Sequence, residues 1–195
     1  MVDSTDRSPP GAGRGEFTEL YCGLAPALHV WAALRLRPQL RAFCDLEDLL
    51  QEVWCRAYAI RDRFDPDEVA FRPWLFRVAK NVLLEVVRKA RYASQVKHPE
   101  GRTTRLFTLE AVADQVTSVT RRVARDDSLR EFHGRIDALP EDERELVLHL
   151  GLEGLGYDEV ARRLDLNREA VKKRWQRLRA RLEGQGVPDT LLELA

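Results

Sequence analysis

The sequence predicts an all-α protein, built as two small helical domains joined by a flexible linker. Three observations carry this. Apolar residues recur at helical spacing through most of the 195-residue chain. No stretch shows the strict alternation of a half-buried strand. Between the periodic regions, residues 93–125 lose their periodicity and gain Ser, Thr and charge. The reading is a disordered tail over residues 1–15, a first domain over 16–92, a linker over 93–125, a second domain over 126–183 and a C-terminal tail over 184–195.

In the first domain Phe17, Leu20, Leu24, Leu28, Trp31 and Leu34 form a helical stripe, which Pro26 is expected to kink or split. Asp45 reads as the N-cap of a helix to about Ile60, with Leu46, Leu49, Leu50, Val53, Trp54 and Ala57 on its apolar face. Arg61 to Val69 is a charged loop. Pro73 then suits a first helical turn, and from Trp74 to about Tyr92 a helix buries Leu75, Val78, Ala79, Val82 and Val86. Its outer face and rim carry Arg77, Lys80, Asn81, Leu84, Glu85, Arg88 and Lys89. Helical turns are expected within the linker around Leu109 to Val116.

The second domain opens near Asp126 with the stripe Leu129, Phe132, Ile136 and Leu139, and Pro140 starts a helix through Leu150. A short helix from Tyr157 to Leu164, a tight Asp165-Leu166-Asn167 turn and a basic helix to Leu182 then read as a helix-turn-helix. Val160, Ala161 and Leu164 face Val171, Trp175, Leu178 and Leu182, so both tryptophans at 31 and 175 belong to the core. Asn167 can cap the basic helix. The N-terminal part of such a helix approaches base edges, which makes Arg168, Glu169, Lys172, Lys173, Gln176 and Arg177 the candidate DNA contacts.

Lys plus Arg and Asp plus Glu both number 32, yet the charges are segregated. Residues 72–105 hold nine bases against two acids, residues 168–182 seven against one, and residues 137–159 eight acids against one base. Different surfaces are therefore built for different partners. Cys22, Cys44 and Cys55 are widely spaced without a CxxC, which argues for reduced thiols and against a zinc site or disulfide framework. His29, His98, His133 and His149 are scattered, without partnered nucleophiles or metal spacing, so no catalytic residue, metal or cofactor is expected and the protein is read as a non-enzyme. The N-terminus lacks a secretory h-region and the most apolar stretch, Leu20 to Leu34, is too short to span a bilayer, so the expectation is a cytoplasmic protein with no membrane insertion.

A helix-turn-helix occurs in many regulators, and a stand-alone regulator is the alternative reading. The first domain decides against it. Asp45-Leu46-Glu47-Asp48-Leu49-Leu50-Gln51-Glu52-Val53-Trp54, then Phe71-Arg72-Pro73-Trp74-Leu75-Phe76-Arg77-Val78-Ala79-Lys80-Asn81 with Arg88-Lys89, and finally Leu139-Pro140, Leu155-Gly156-Tyr157-Asp158-Glu159-Val160-Ala161 and Val171-Lys172-Lys173-Arg174 together resemble the extracytoplasmic-function (ECF) group of bacterial RNA polymerase sigma factors, in the sigma-70 family. The resemblance runs from about residue 17 to residue 182. It implies a protein that binds core RNA polymerase and directs recognition of promoter DNA, DNA melting and transcription initiation. It further implies polymerase docking through Asp48, Gln51 and Glu52, which share an exposed patch at i, i+3 and i+4. Minus-ten promoter contacts would come from Arg77, Lys80, Asn81, Arg88 and Lys89, near the Arg61 to Phe71 loop, and minus-thirty-five contacts from the basic helix. An anti-sigma factor is the implied regulatory partner. The chain departs from the family pattern at Ala170, where Thr is common, at Glu85, where Asp is common, and at Phe76, where Tyr is common.

Overall fold

The computed structural model describes residues 14–95 and 126–184. Among these residues every regular element is helical. In the first domain α1 runs over Arg14–Arg35, α2 over Pro38–Arg41, α3 over Leu46–Ala59 and α4 over Phe71–Gln95, with a short 3-10 turn at Arg61–Arg63. In the second, α5 runs over Asp127–Asp137 and α6 over Glu141–Leu146, α6 continuing as a π-helical segment over Val147–Leu152. The last two are α7, Tyr157–Leu164, and α8, Arg168–Glu183. The helical turns expected around Leu109 to Val116 lie outside the described residues.

Pro26 does not split α1: the helix is continuous through the proline. An interior proline costs about 3 kcal/mol through its lost hydrogen bond and ring clash. Here Phe17 and Tyr21 before it and Leu28 and Trp31 after it are all buried in one core. Each such side chain contributes roughly 1.5–3 kcal/mol on burial, so packing on both sides outweighs the local cost. The start of α4 also differs from the sequence expectation, beginning at Phe71 rather than after Pro73. A proline in the first turn removes an N–H that has no intrahelical acceptor in any case.

The first domain is held by a cluster of rings from three helices and the loop between two of them. Tyr21 of α1 meets Trp54 of α3 edge-on at 4.5 Å, and Phe17 meets Phe71 at the head of α4 at 5.5 Å. Phe64, from the loop before α4, packs on Phe71 and Trp74 at 5.4 and 5.3 Å. All but the tilted Phe64–Trp74 pair are edge-to-face, which suits the opposed charge of ring edges and faces. Trp74 and Phe76 are thereby core residues, and Phe76 sits edge-on to Trp31 at 5.8 Å.

Pro140 opens α6, as the sequence suggests, but from Val147 the helix widens and the Glu153 N–H donates to the Leu148 carbonyl, five residues back. All six residues of this π-helical segment are buried. Its position explains why: α1 lies against both this segment and α5, so the second domain rests on the first helix of the first.

Candidate nucleic-acid and partner interfaces

The helix-turn-helix forms as its residues dictate. Asp165 ends α7 in the left-handed region (φ 53°), a conformation that a short polar side chain tolerates. Leu166 N–H then donates to the Ala161 carbonyl at 3.0 Å, which closes the turn. Asn167 caps α8 by accepting the Ala170 N–H on Oδ1 at 2.7 Å. Val160 and Ala161 of α7 and Val171, Trp175, Leu178 and Leu182 of α8 are buried, which fixes the rotation of α8.

That rotation divides the cations of α8 into two groups. At 100° per residue, Glu169, Lys173, Gln176 and Arg177 fall within about 50° of the line opposite the buried stripe, and Lys172 lies at its border, at about 90°. The remaining arginines flank it, and each meets an acid of its own domain. Arg168 reaches Asp158 at 3.2 Å and Arg174 reaches Asp142 at 3.6 Å, while Arg179 pairs with Glu183 and Arg181 with Glu143. Among the described residues, Lys172, Lys173 and Arg177 form no salt bridge. The outward face thus offers three uncommitted cations and an amide, and Arg168 is turned aside from it.

On α4 the residues singled out in the sequence sort in a similar way. Arg77, Lys80, Asn81 and Arg88 are exposed and lie within about 60° of one line along the helix. Leu84 and Tyr92 share that line and are exposed at 42% and 70%, which adds two apolar surfaces to a basic stripe. Their helical register with Arg77 was the signal that could have placed them in the group. Lys89 does not join it: it sits about 120° around the helix. There it influences Glu85 and Cys44.

On α3 the Asp45 carboxylate caps the helix, accepting the Asp48 N–H at 2.8 Å. Asp48 and Gln51 project into solvent. Glu52 is half-buried and accepts from Arg56 at 2.8 Å, and Arg56 also holds Glu85 of α4. This shared guanidinium draws Glu85 below the usual carboxylate range, through its hydrogen bond first and its charge second. Glu85 is therefore a strut between α3 and α4. Glu52 has a structural partner that Asp48 and Gln51 lack in the described contacts.

Burial pushes the Cys44 thiol up to about 11, with Asp48 and Asp45 adding to the shift, so it stays protonated at neutral pH. Cys22, Cys44 and Cys55 form no disulfide and are half-buried. Among the described residues no group of three metal-ligating side chains converges, and no helix is long and apolar enough to cross a membrane.

One cluster was not legible in the sequence. His149 is clamped between Glu145 and Glu153, with Nε2 at 3.1 Å from Glu145 and Nδ1 at 2.8 Å from Glu153. Burial pulls its pKa down, but the two carboxylate hydrogen bonds outweigh burial and the net direction is upward. Glu153, itself 6% exposed at the side chain, also accepts the indole N–H of Trp31 at 2.8 Å. Arg35 of α1 faces both acids, and Arg163 of α7 approaches Glu153 at 3.5 Å.

Fold and surfaces define a two-domain helical protein with a DNA-docking helix-turn-helix in its second domain. The Sigma-70 region 2 family profile matches residues 27–92, and that of Sigma-70 region 4 matches residues 129–182. The chain is 31% identical over 146 residues to the ECF sigma factor SigM of Bacillus subtilis, covering 73% of this chain and 82% of SigM. It is 30% identical over 141 residues to the sigma factor CnrH of Cupriavidus metallidurans, covering 71% of each. Against the ECF sigma-E factor of Escherichia coli K12 the figure is 29% over 149 residues, covering 74% of this chain and 75% of that one. A solved structure of CnrH in complex with the cytosolic domain of CnrY is similar at a TM-score of 0.39 and 22% identity, over 89% of this chain and 88% of that one. The chain belongs to the extracytoplasmic-function group of the sigma-70 family. It is a sigma factor, which binds core RNA polymerase and directs promoter recognition, DNA melting and transcription initiation.

Proposed function

We propose that this sigma factor divides its work among three exposed surfaces. Asp48 and Gln51 on α3 dock a basic element of core polymerase, with Glu52 holding the patch in place through Arg56. The α4 stripe of Arg77, Lys80, Asn81 and Arg88 follows the minus-ten strand, with Lys89 at its edge, and Leu84 and Tyr92 offer apolar surface to unstacked bases. The outward face of α8 enters the major groove of the minus-thirty-five element. Lys172, Lys173 and Arg177 anchor phosphates or guanines there, Gln176 and Glu169 reach base edges, and Arg168 lies at the border. In this reading residues 16–92 and 126–183 are the two working domains, and the chain performs no covalent chemistry.

The sorting of cations on α8 is the observation that carries this reading. Seven bases occupy the helix, and the two nearest the line opposite the core, Lys173 and Arg177, are left without an acid, as is Lys172 at the border of that face. A helix serving only solubility has no need of that separation.

The family relation also supports a regulatory protein partner of the anti-sigma kind, since the related CnrH has been solved with the cytosolic domain of CnrY. Working with RNA polymerase on promoter DNA, the protein acts in the cytoplasm. The test is run-off transcription with purified core polymerase, paired with co-purification. Replacing Asp48 and Gln51 together by Lys should abolish retention on core polymerase while leaving the helical circular dichroism intact. Retention at the unaltered level would overturn the docking assignment. Lys172→Ala with Arg177→Ala should leave polymerase binding intact but lower transcription from promoters that need the upstream element; equal transcript levels would exclude this face.

A further inference from the structure

We propose that the N-terminal half of α1 and the head of α4 form a docking groove for one helix of a partner protein, amphipathic and bearing Lys or Arg along its polar flank. The groove is separate from the three surfaces assigned above, and the inference does not rest on those assignments.

The groove is written into the register of α1. At 100° per residue, Glu16, Glu19, Leu20 and Gly23 fall within about 50° of one line along the helix. All four are exposed, Leu20 at 37%. Ala27 comes next in the same arc and is buried, so the open face ends there. The other wall is Ala70, Phe71 and Arg72, and the space between the walls, with Leu24 at its border, measures about 530 Å³. Phe71 stands edge-on to Phe17 of α1 at 5.5 Å, which fixes one wall to the other.

Charge says what kind of helix fits. Arg72, the cation of the lining, is 9% exposed and donates to the carbonyls of Leu152 and Gly151, whereas Glu16 and Glu19 are exposed at the rim. Neither glutamate forms a salt bridge among the described residues. A neutral or acidic helix laid on Leu20 and Leu24 would leave both carboxylates unpaired or opposed, and a basic one pairs them.

Gly23 is the second, independent observation. Glycine weakens a helix interior more than any residue but proline, and α1 already carries Pro26 three positions on. The fold itself gives no reason for it: its φ is not positive, and a Cβ at this position would meet no atom within 4 Å. What a missing side chain does permit is close approach of another backbone. Packed helices lie about 8–10 Å apart according to the side chains at the contact, and a glycine at the crossing allows the short end of that range. Leu20 and Leu24 beside it then receive apolar residues spaced i, i+3 and i+4 on the incoming helix.

The test uses the full chain and two labelled probes read by fluorescence anisotropy: a helical peptide of Ala, Leu and Lys with Leu at i, i+3, i+4 and i+7, and its twin with Glu for Lys. The basic probe should bind the unaltered chain at least tenfold more tightly than the twin. Gly23→Leu fills the floor of the groove and should weaken the basic probe at least tenfold, while the melting temperature rises by about 2–4 °C as a helix-interior glycine is removed. Glu16→Lys with Glu19→Lys should reverse the order of the two probes. Equal binding of the basic probe to Gly23→Leu and to the unaltered chain overturns the proposal, because the probe then sits on another acidic surface. A lower melting temperature of Gly23→Leu also overturns it, by giving the glycine a structural reason. In cells, p-benzoylphenylalanine in place of Leu20 identifies the natural occupant. Cross-linking to a basic amphipathic segment of another protein, whose synthetic peptide loses at least tenfold affinity for Gly23→Leu, is the expected result; cross-linking only to this chain, within one copy or between two, overturns it.

Discussion

Replacing Glu153 by Gln keeps the shape of the side chain and removes its charge, which makes it a sharp probe of the buried cluster. The carboxylate receives two short hydrogen bonds, from Trp31 on Oε1 and from His149 on Oε2, each at 2.8 Å. An amide presents one oxygen and one NH2: with the oxygen kept on Trp31, the NH2 faces a donor as long as His149 is protonated, and the clash is relieved only if the ring gives up its Nδ1 proton. A hydrogen bond to a charged acceptor contributes about 1.5–3 kcal/mol, and a buried donor left unpaired costs about 1–3 kcal/mol more. Removing one partner from a buried ionic cluster costs about 3–5 kcal/mol by direct comparison, which agrees with that sum. In a chain of this length each kcal/mol moves the melting temperature by about 2–4 °C, so a fall of roughly 6–20 °C is expected. Thermal melts followed by circular dichroism at pH 6.5 measure it. The double variant with Trp31→Phe should lose clearly less than the sum of the two single losses, because both break one bond. A fall of under about 2 °C, or strict additivity, would refute the reasoning from Glu153 as the hub.

Two further predictions concern charge. Only Lys172, Lys173 and Arg177 are uncommitted on the outward face of α8, so binding of an upstream-element duplex should follow log salt with a slope near −2.7 and not the −6.3 of seven engaged cations, at about −0.9 per phosphate contact. Lys172→Ala should reduce the slope by about one contact's worth, and an unaltered slope in anisotropy titrations would remove Lys172 from the contacts. Stability should also peak near the ordinary histidine value and decline on both sides of it. His149 has its pKa raised in the fold, with burial and Arg35 opposing and Glu145 and Glu153 prevailing, so its contribution is complete below about pH 6.5 and is lost as pH rises through the higher folded value. His29 has its pKa lowered, by burial first and by His133 on α5 second, so its contribution is present above about pH 6.5 and is lost as pH falls through the lower folded value. In chemical denaturation across pH 5–8, His149→Gln should flatten the alkaline limb and His29→Asn the acid limb; curves unchanged by either would contradict the assignment.

What could be read from the residues alone depended on how local the cause was. The caps at Asp45 and Asn167, the Asp165 turn and the stripes of α3, α4 and α8 are set within a few positions, and the structure places them where their spacing suggests. Pro26 does not split its helix because its penalty is local while its compensation, burial of Phe17, Tyr21, Leu28 and Trp31, is tertiary. Glu52 and Lys89 fitted a motif by spacing, but their surroundings depend on Arg56, Glu85 and the neighbouring helix. The cluster of Trp31, Arg35, Glu145, His149 and Glu153 had no sequence signal at all. Its two halves, Trp31 with Arg35 and Glu145 with His149 and Glu153, lie more than a hundred residues apart, and the π-helical widening that aligns them appears in the sequence only as an apolar run from Val147 to Leu152.

The same accounting of partners explains why an overall charge of zero is compatible with a DNA-binding role. The acidic stretch over residues 137–159 does not simply balance the basic helix at a distance. Asp142, Glu143 and Asp158 lie beside α8 or its turn and take up Arg174, Arg181 and Arg168, the cations that flank the outward face. Glu145 and Glu153 of the same stretch turn the other way, toward Arg35 and Trp31 of α1. One acidic segment thus trims the recognition helix to its central cations on one side and fastens the second domain to the first on the other. The exposed cations left on α8 are thereby fewer than its basic count suggests.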